Sequence, residues 1–252
     1  MADVFELTDR IALVTGGSRG LGRSIALGLA AAGADVVIAS RNAAACQTVA
    51  EEVEATTGRA AMSYACHVGR WDEVDALVEA AYARFGRLDI LVNNAGMSPL
   101  YDNPTAISEE LWHKVIDVNL TGPFRLSALI GARMAEGAGG SIVNIGSIGS
   151  IHPTGEILPY AAAKAGLNAL TTGFAHAFGP RVRVNCVLPG MFLTDVSTSW
   201  DGDRFAAHSA RFALERGGTP DEIVGAVLYL ASDAASYTTG AHLRVDGGYV
   251  RP

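Results

Sequence analysis

The stretch VTGGSRGLG, residues 14–22, decides the fold. The uncharged run Ile11 to Val14 precedes its glycines, and Ile25, Leu29 and Ala32 follow at helical spacing. A glycine-rich turn between a strand and a helix lets a pyrophosphate approach the backbone and bind at the helix N-terminus. Because the chain has 29 glycines, an ordinary turn is the alternative. In this setting we predict dinucleotide contacts from Gly16, Ser18, Arg19, Gly20, Leu21 and Gly22.

Apolar runs continue to alternate with segments of helical period along the chain. The runs lie near residues 36–38, 62–66, 90–92, 142–145, 183–187 and 243–245. Strands of continuous Val, Ile and Leu indicate a parallel sheet covered on both faces. We therefore predict an α/β fold, a single Rossmann-type doubly wound domain over residues 1–252, with a seven-stranded, mainly parallel sheet and helices on both faces. Residues 191–215 break the alternation, and we expect a substrate lid there.

The composition argues against several classes of partner. The net charge of -7 gives no electrostatic reason to expect nucleic acid or an anionic membrane. No uncharged apolar run is long enough to span a bilayer, and the six histidines lack metal-site spacing. The three separated cysteines are interpreted as buried apolar residues, and with no secretory signal they suit a reducing cytoplasm. We expect a cytoplasmic protein without a metal.

The end of the second predicted strand bears on the choice of cofactor. NAD-binding proteins usually have a carboxylate there for the ribose 2′-hydroxyl. Here the strand ends Ala39-Ser40-Arg41, and an arginine can bind a 2′-phosphate through two hydrogen bonds. Arg19 can reach the same phosphate from the glycine turn. The alternative is two solvated surface arginines; we favour NADP(H) over NAD(H), with contacts from Ser40 and Arg41.

The sequence YAAAK, residues 160–164, indicates a catalytic pair. Tyr160 and Lys164 project from one face of a predicted helix, and an ammonium nearby favours the phenolate and lowers the phenol pKa. Tyr160 could then exchange a proton with a carbonyl or alcohol oxygen. Ser147 follows the fifth strand and could hold that oxygen. Asn119 closes an apolar helical stretch, where breaking or capping the helix is the alternative role.

Taken together, these motifs resemble the short-chain dehydrogenase/reductase family over nearly the whole chain. The family's motifs occur here in the usual order, and Ser147 and Tyr160 are separated by the family's usual thirteen-residue step. The glycine motif is Thr15 to Gly22, the next motif is Asn93 to Gly96, and the tetrad is Asn119, Ser147, Tyr160 and Lys164. The remaining motifs are Pro189-Gly190 followed by Thr194, and Asp246 to Gly248.

The resemblance implies a role for each residue of the tetrad. Tyr160 is the general acid/base, and Lys164 lowers its pKa and holds the nicotinamide ribose. Ser147 orients the substrate, and Asn119 holds a water of a proton relay. Both Tyr160 and Lys164 thereby also contact the cofactor.

The resemblance also implies cofactor contacts outside the tetrad and an oligomeric state. Thr194 and the backbone of Phe192 hold the carboxamide. His67 stands where relatives usually have an aspartate that accepts from the adenine amino group, so we expect an altered adenine contact. A homotetramer is expected. The motifs also place Val68, Asn94, Ala95, Gly96, Pro189 and Gly190 at the cofactor.

The candidate substrate wall has few charges. We therefore expect a small, apolar or modestly polar ketone or secondary alcohol. The alternative is reduction of 3-oxoacyl-[acyl-carrier-protein], but Glu136 stands where a basic docking residue would suit an acidic carrier. A non-catalytic dinucleotide sensor is the alternative from another class, although it would be expected to lose Tyr160 or Lys164. The predicted wall consists of Met97, Ser98, Leu100, Ile148, Ile151, His152, Phe192 and Trp200.

Overall fold

The computed structural model describes residues 4–194, 205–206, 209–210 and 212–249. Within them, seven strands form one sheet in the order β3-β2-β1-β4-β5-β6-β7, and every neighbouring pair is parallel. The strands are β1 (Ile11–Thr15), β2 (Asp35–Ser40), β3 (Ala61–Ala65), β4 (Ile90–Asn93), β5 (Gly140–Ile145), β6 (Val182–Pro189) and β7 (His242–Val245).

Helices connect the strands and cover both faces of the sheet. The first core cluster packs α1, α2 and α7 on one face, and the second packs α3, α5 and α6 on the other. The helices are α1 (Gly20–Ala31), α2 (Ala43–Thr57), α3 (Trp71–Phe85), α4 (Glu109–Ile116), α5 (Gly122–Glu136), α6 (Leu158–Phe178) and α7 (Val224–Ala231).

The central strands are buried on both faces, as their continuous apolar runs predicted. Along β1, Ala12 and Val14 pack into the first cluster, while Leu13 packs into the second. All five residues of this strand are buried. The predicted doubly wound fold is confirmed, and the sheet is wholly parallel among the described strands.

Local chemistry sets several of the element boundaries. Gly58 and Gly86 follow α2 and α3 in the left-handed conformation, which glycine adopts without a steric penalty. Ser108 caps α4 by accepting a hydrogen bond from the Leu111 backbone N–H at 3.1 Å.

Asn119 neither ends nor caps a helix. It lies in a single π-helical turn, Asp117–Thr121, which joins α4 directly to α5. Such turns widen a helix locally and frequently occur at functional sites. The residue is fully buried, so its amide faces the protein interior.

The strand order places the site. Chain connections run from β1 towards β3 in one direction and from β4 towards β7 in the other, which opens a crevice at the carboxyl ends of β1 and β4. Among the described residues, no helix has the length and apolar character needed to cross a membrane. All three cysteines are free and buried, as expected.

Candidate active site

The glycine turn between β1 and α1 is packed too tightly for side chains. Gly16 and Gly20 have φ values of 64° and 52°. A Cβ on Gly22 would lie 2.2 Å from the Gly16 carbonyl oxygen. The turn therefore presents bare backbone at the N-terminus of α1, a geometry that suits a pyrophosphate.

Thr15 holds this turn against the end of β4. Its Oγ1 accepts hydrogen bonds from the backbone N–H groups of Asn94 and Ala95 at 3.0 and 3.1 Å, and donates to the Val92 carbonyl at 3.3 Å. The Asn94 side chain donates to the carbonyls of Thr15 and Gly16. The two predicted cofactor segments are thus one rigid unit.

The residues predicted to bind the 2′-phosphate lie beside this unit. Arg19 and Arg41 are exposed, and neither has an ion-pair partner among the described residues. Ser40 ends β2, and its hydroxyl lies 3.0 Å from the Cys46 sulfur. Two exposed arginines without an ion-pair partner in the described part of the chain favour an anionic ligand at this end of the crevice.

His67 and Val68 follow β3, the next strand of the sheet. The Gly69 backbone N–H donates to His67 Nδ1 at 3.2 Å, so a neutral ring carries its proton on Nε2. The free ring nitrogen is then a donor, whereas an aspartate at this place would be an acceptor. Val68 is buried, and its carbonyl packs against Gly122 at the start of α5.

The four predicted catalytic residues converge at the carboxyl ends of β4 and β5. Ser147 and Tyr160 are hydrogen-bonded to each other, and Ser147 Oγ also accepts from the Gly149 N–H at 3.0 Å. Lys164 Nζ lies 5.7 Å from the centroid of the Tyr160 ring. A Cβ on Gly96 would lie 3.0 Å from Asn119 Oδ1 and 3.6 Å from Lys164 Nζ, so these groups meet at Gly96.

Asn119 is held from three directions. Its Nδ2 donates to the carbonyls of Met97 and Val115, both at 2.9 Å. Its Oδ1 accepts from the Met97 N–H at 3.2 Å. The amide therefore joins the loop after β4 to the π-helical turn and keeps its oxygen beside Lys164.

Burial sets the ionisation of the pair. It lowers the pKa of Lys164 to about 8, and the ammonium donates to the Ile145 carbonyl at 2.7 Å. Burial also raises the pKa of Tyr160, and the hydrogen bond with Ser147 only partly opposes this. We expected Lys164 to lower the tyrosine pKa; the net direction is upward, since the loss of hydration outweighs the stabilisation of the phenolate.

Thr194, which is predicted to contact the nicotinamide, lies against the glycine turn, whereas Gly190 lies against β7. A Cβ on Gly20 would lie 3.5 Å from the Thr194 side chain, and the N–H of Gly190, after Pro189, donates to the Val245 carbonyl at 2.9 Å. The ring of Phe192 is buried in the core, which removes it from the substrate wall. The hydrogen bonds that pair this residue with Gly218 use its chain neighbours, not its own peptide groups.

The predicted substrate wall is only partly assembled around Tyr160. Ser98 lines a recess beside the tyrosine, and Ile148 is buried on the turn after Ser147. Leu100 is 85% exposed and Ile151 is 42% exposed, so they form a rim rather than a wall. Met97 contributes backbone to the Asn119 contact, and Trp200 lies outside the described residues.

Two tyrosines near the site, Tyr249 and Tyr101, were not predicted from the sequence. His152 packs on Tyr249 with ring centroids 6.0 Å apart, and Tyr249 packs edge-on against Phe212 at 5.3 Å. Tyr101 lines the recess beside Tyr160 and bonds the backbone ahead of α6. Neither tyrosine lies in a motif or a periodic stripe, so only the folded chain reveals them.

The chain is similar to known proteins over nearly its whole length. The family model described as Enoyl-(Acyl carrier protein) reductase matches residues 16–250. The chain is 40% identical to the short chain dehydrogenase/reductase astE of Aspergillus oryzae over 97% of this chain and 96% of the relative. It is 39% identical to the 2-dehydro-3-deoxy-D-gluconate 5-dehydrogenase of Pseudoalteromonas atlantica over 99% of each.

The chain also resembles a solved structure over nearly its whole length. The 3-oxoacyl (acyl-carrier-protein) reductase of Agrobacterium tumefaciens C58, with NADP bound, superposes with a TM-score of 0.92 at 33% identity, covering 98% of this chain and 96% of the other. The shared motifs, the parallel sheet and the relatives lead to one conclusion. The chain belongs to the short-chain dehydrogenase/reductase family, whose members bind nicotinamide cofactors, and it is an oxidoreductase that acts on CH–OH groups.

Proposed function

We propose that the protein transfers a hydride between NADP(H) and a small, apolar ketone or secondary alcohol, with Tyr160 as the general acid/base. The observation that carries this is the convergence of Ser147, Tyr160, Lys164 and Asn119 at the crevice beside the glycine turn. The nicotinamide, when bound, would supply or accept the hydride. The tight packing at Gly16 and Gly22 leaves no room for side chains in the turn, which suits the close approach of such a cofactor to the backbone.

Each of the four residues has a separate role in the proposed proton transfer. At neutral pH the raised pKa keeps Tyr160 protonated, so its hydroxyl can donate to a carbonyl oxygen. Ser147, bonded to the same phenol, orients that oxygen. The protonated Lys164 favours the phenolate left behind, and Asn119 holds the relay water. For alcohol oxidation the direction of proton transfer reverses.

The preference for NADP(H) rests on Arg19 and Arg41. Their lack of acidic partners among the described residues leaves both guanidinium groups available to a 2′-phosphate. The Agrobacterium reductase that resembles this chain has NADP bound, which agrees with the proposal. Ser40, between the two segments, would add a hydroxyl contact.

The substrate class rests on the apolar surface at the crevice. Leu100, Ile151, Leu158, Leu193 and Leu214 are all exposed. This surface favours an apolar ligand over a sugar acid, although one relative is named for a gluconate derivative. The alternative, a 3-oxoacyl-[acyl-carrier-protein] reductase, is supported by the name of the Agrobacterium protein and disfavoured by Glu136.

Further proposals concern the organisation of the molecule. We take the whole chain as one catalytic domain, with residues 191–215 as the lid, and a cytoplasmic homotetramer as its working form. Support for the lid comes from its described end, where Phe212 to Leu214 pair with Gly247 to Tyr249 beside His152. Light scattering tests the tetramer, and a monomer would contradict it.

The deciding experiment is a substrate screen with NADPH and NADH, followed by reduced-nicotinamide absorbance. The panel holds acetoacetyl-CoA, steroid ketones, terpenoid alcohols and acetophenone.

Tyr160→Phe removes only the phenol hydroxyl, so we expect a loss of turnover of about 100-fold or more with nearly unchanged NADPH affinity. Retained activity would refute the role of Tyr160. Cofactor binding without turnover of any panel member would favour the sensor.

A further inference from the structure

The N-terminus of helix α6, the helix that carries Tyr160 and Lys164, is not capped by the side chain of its own N-cap residue. The first backbone N–H groups of a helix lack partners within it, and a side chain at the N-cap usually accepts from one of them. Here the N-cap is Ile157, whose apolar side chain makes no such bond. Pro159 has no N–H, and the Ile157 N–H donates to the Thr154 carbonyl, so Leu158 is the first residue of the helix whose N–H needs a partner from outside it.

A residue from a distant loop supplies the missing cap. The Leu158 N–H donates to the hydroxyl oxygen of Tyr101 at 2.6 Å. The same hydroxyl donates to the Gly155 carbonyl at 2.8 Å. One oxygen therefore joins the segment ahead of α6 to the first turn of α6, across 57 and 54 residues of sequence.

This cap lies next to the reacting group. Leu158 precedes Tyr160 by two residues, and the ring of Tyr101 lines the recess that Tyr160 also lines. Tyr101 follows the loop of Met97 and Ser98, which is held to Asn119 through the backbone of Met97. The hydroxyl thus connects the loop at the substrate recess to the catalytic helix.

We propose that Tyr101 is a positioning residue for Tyr160: its hydroxyl caps α6 and fixes the first turn from which the catalytic phenol projects. The proposal rests on the proposed function, because it assigns an effect on turnover through Tyr160. The residue itself exchanges no proton with substrate. Without the hydroxyl, the Leu158 N–H and the Gly155 carbonyl lose their partner, and the first turn of α6 loosens.

Tyr101→Phe tests this, since it keeps the ring in the recess and removes only the hydroxyl. Hydrogen exchange measured by mass spectrometry should show faster exchange in peptides covering residues 155–162, with the rest of the chain unchanged. For the carbonyl that the wild type reduces fastest, kcat should fall about tenfold, because a small misplacement of a catalytic group is costly. The NADPH Kd should stay within about twofold of wild type, because α1 and the glycine turn are untouched.

Tyr64→Phe is the matched control, on β3 at the far edge of the sheet, and should change none of these quantities. Unchanged exchange at 155–162, or faster exchange with unchanged kcat, would overturn the proposal. A fall in kcat together with faster exchange throughout the chain would show a general structural role and overturn it as well. Absence of turnover by the wild type contradicts the proposed function instead, while the exchange measurement still tests the cap.

Discussion

Tyr160 and Lys164 have pKa values shifted in opposite directions by the same cause. Burial raises the pKa of the phenol and lowers that of the ammonium to about 8, because both charged forms lose hydration. The protein at neutral pH therefore holds a neutral acid beside a cation. Under the proposed mechanism, that state can reduce a carbonyl and must lose a proton before it can oxidise an alcohol.

The pH dependence should follow from these directions. Reduction requires protonated Tyr160, so kcat/KM for a ketone should stay high at neutral pH and fall only as pH rises through the raised pKa. Alcohol oxidation requires the phenolate and should increase over the same range. Both profiles can be recorded from about pH 6 to beyond about pH 10, because the pKa of Tyr160 is raised above its ordinary value, with NADPH or NADP⁺. Oxidation that is fastest below neutral pH would contradict the assignment.

Arg41 should determine the choice of cofactor. Arg41→Asp replaces a bidentate donor by a carboxylate that repels a 2′-phosphate and can accept from a ribose hydroxyl. We expect the ratio of kcat/KM for NADPH over NADH to fall by about 100-fold or more. Lys114→Asp, at an exposed residue of α4, makes the same change of charge on an element that carries no predicted 2′-phosphate contact. Equal effects of the two variants would reduce the assignment to overall charge.

At the scale of elements, the π-helical turn and the glycine after it join a predicted catalytic residue to a predicted cofactor-binding segment. Asn119 lies on the turn, and Gly122 follows it at the start of α5. A Cβ on Gly122 would lie 2.3 Å from the Val68 carbonyl oxygen, next to His67. The wide turn and the absence of a side chain together let α5 approach the segment after β3.

Gly122→Ala should therefore disturb both ends of this contact. Overpacking of this kind costs about 1–3 kcal/mol in the free energy of unfolding, and the displaced Val68 should weaken NADPH binding. Gly173→Ala is the control, since a Cβ there meets nothing within 4 Å and alanine in a helix stabilises by about 0.5–1 kcal/mol. Denaturant unfolding and NADPH titration provide the two measurements. An unchanged free energy of unfolding and unchanged NADPH binding in Gly122→Ala would show that the contact is loose.

At the scale of the molecule, Asp89 joins the starts of three central strands at the edge away from the site. Its carboxylate accepts from the Ile11 N–H at 2.8 Å and from Arg87, and its carbonyl accepts from Ser141 at 2.9 Å. The side chain is 3% exposed. These bonds align β1, β4 and β5 at the ends of the strands that lie opposite the crevice.

Asp89→Ala should destabilise the fold without altering chemistry. It leaves the buried Ile11 N–H unpaired, and we expect a loss of about 2–3 kcal/mol in the free energy of unfolding. Asp89→Asn keeps an acceptor and should lose less. The kcat of the folded enzyme should be unchanged in both, measured well below the melting temperature. A large loss of kcat at full folding would mean that the strand starts influence the crevice.

The sequence predicted the strands, the helices and the tetrad because their signals are local. Continuous apolar runs marked the strands, and segments of helical period marked the helices between them. The tetrad could be located because its family motifs stand in a fixed order. Their convergence follows from a parallel sheet, whose strands all end at one edge.

Contacts between distant segments could not be predicted in the same way. The cap from Tyr101 to Leu158 spans 57 residues, and no spacing rule connects them. Phe192 looked like a pocket residue by its place after β6, but its ring packs into the core. The pKa direction of Tyr160 also depends on burial, which a pair of residues four apart does not reveal.

The pairing of Phe212 to Leu214 with Gly247 to Tyr249 has a practical consequence for handling the protein. A tag or fluorophore attached a few residues after Tyr249 would lie close in sequence to the ring that packs on His152. Purification or surface capture through that end would pull on the rim of the substrate crevice and bias any screen. Attachment ahead of Leu7 is the safer choice, because that residue bonds the Ala32 carbonyl near the start of β1, at the opposite edge of the sheet.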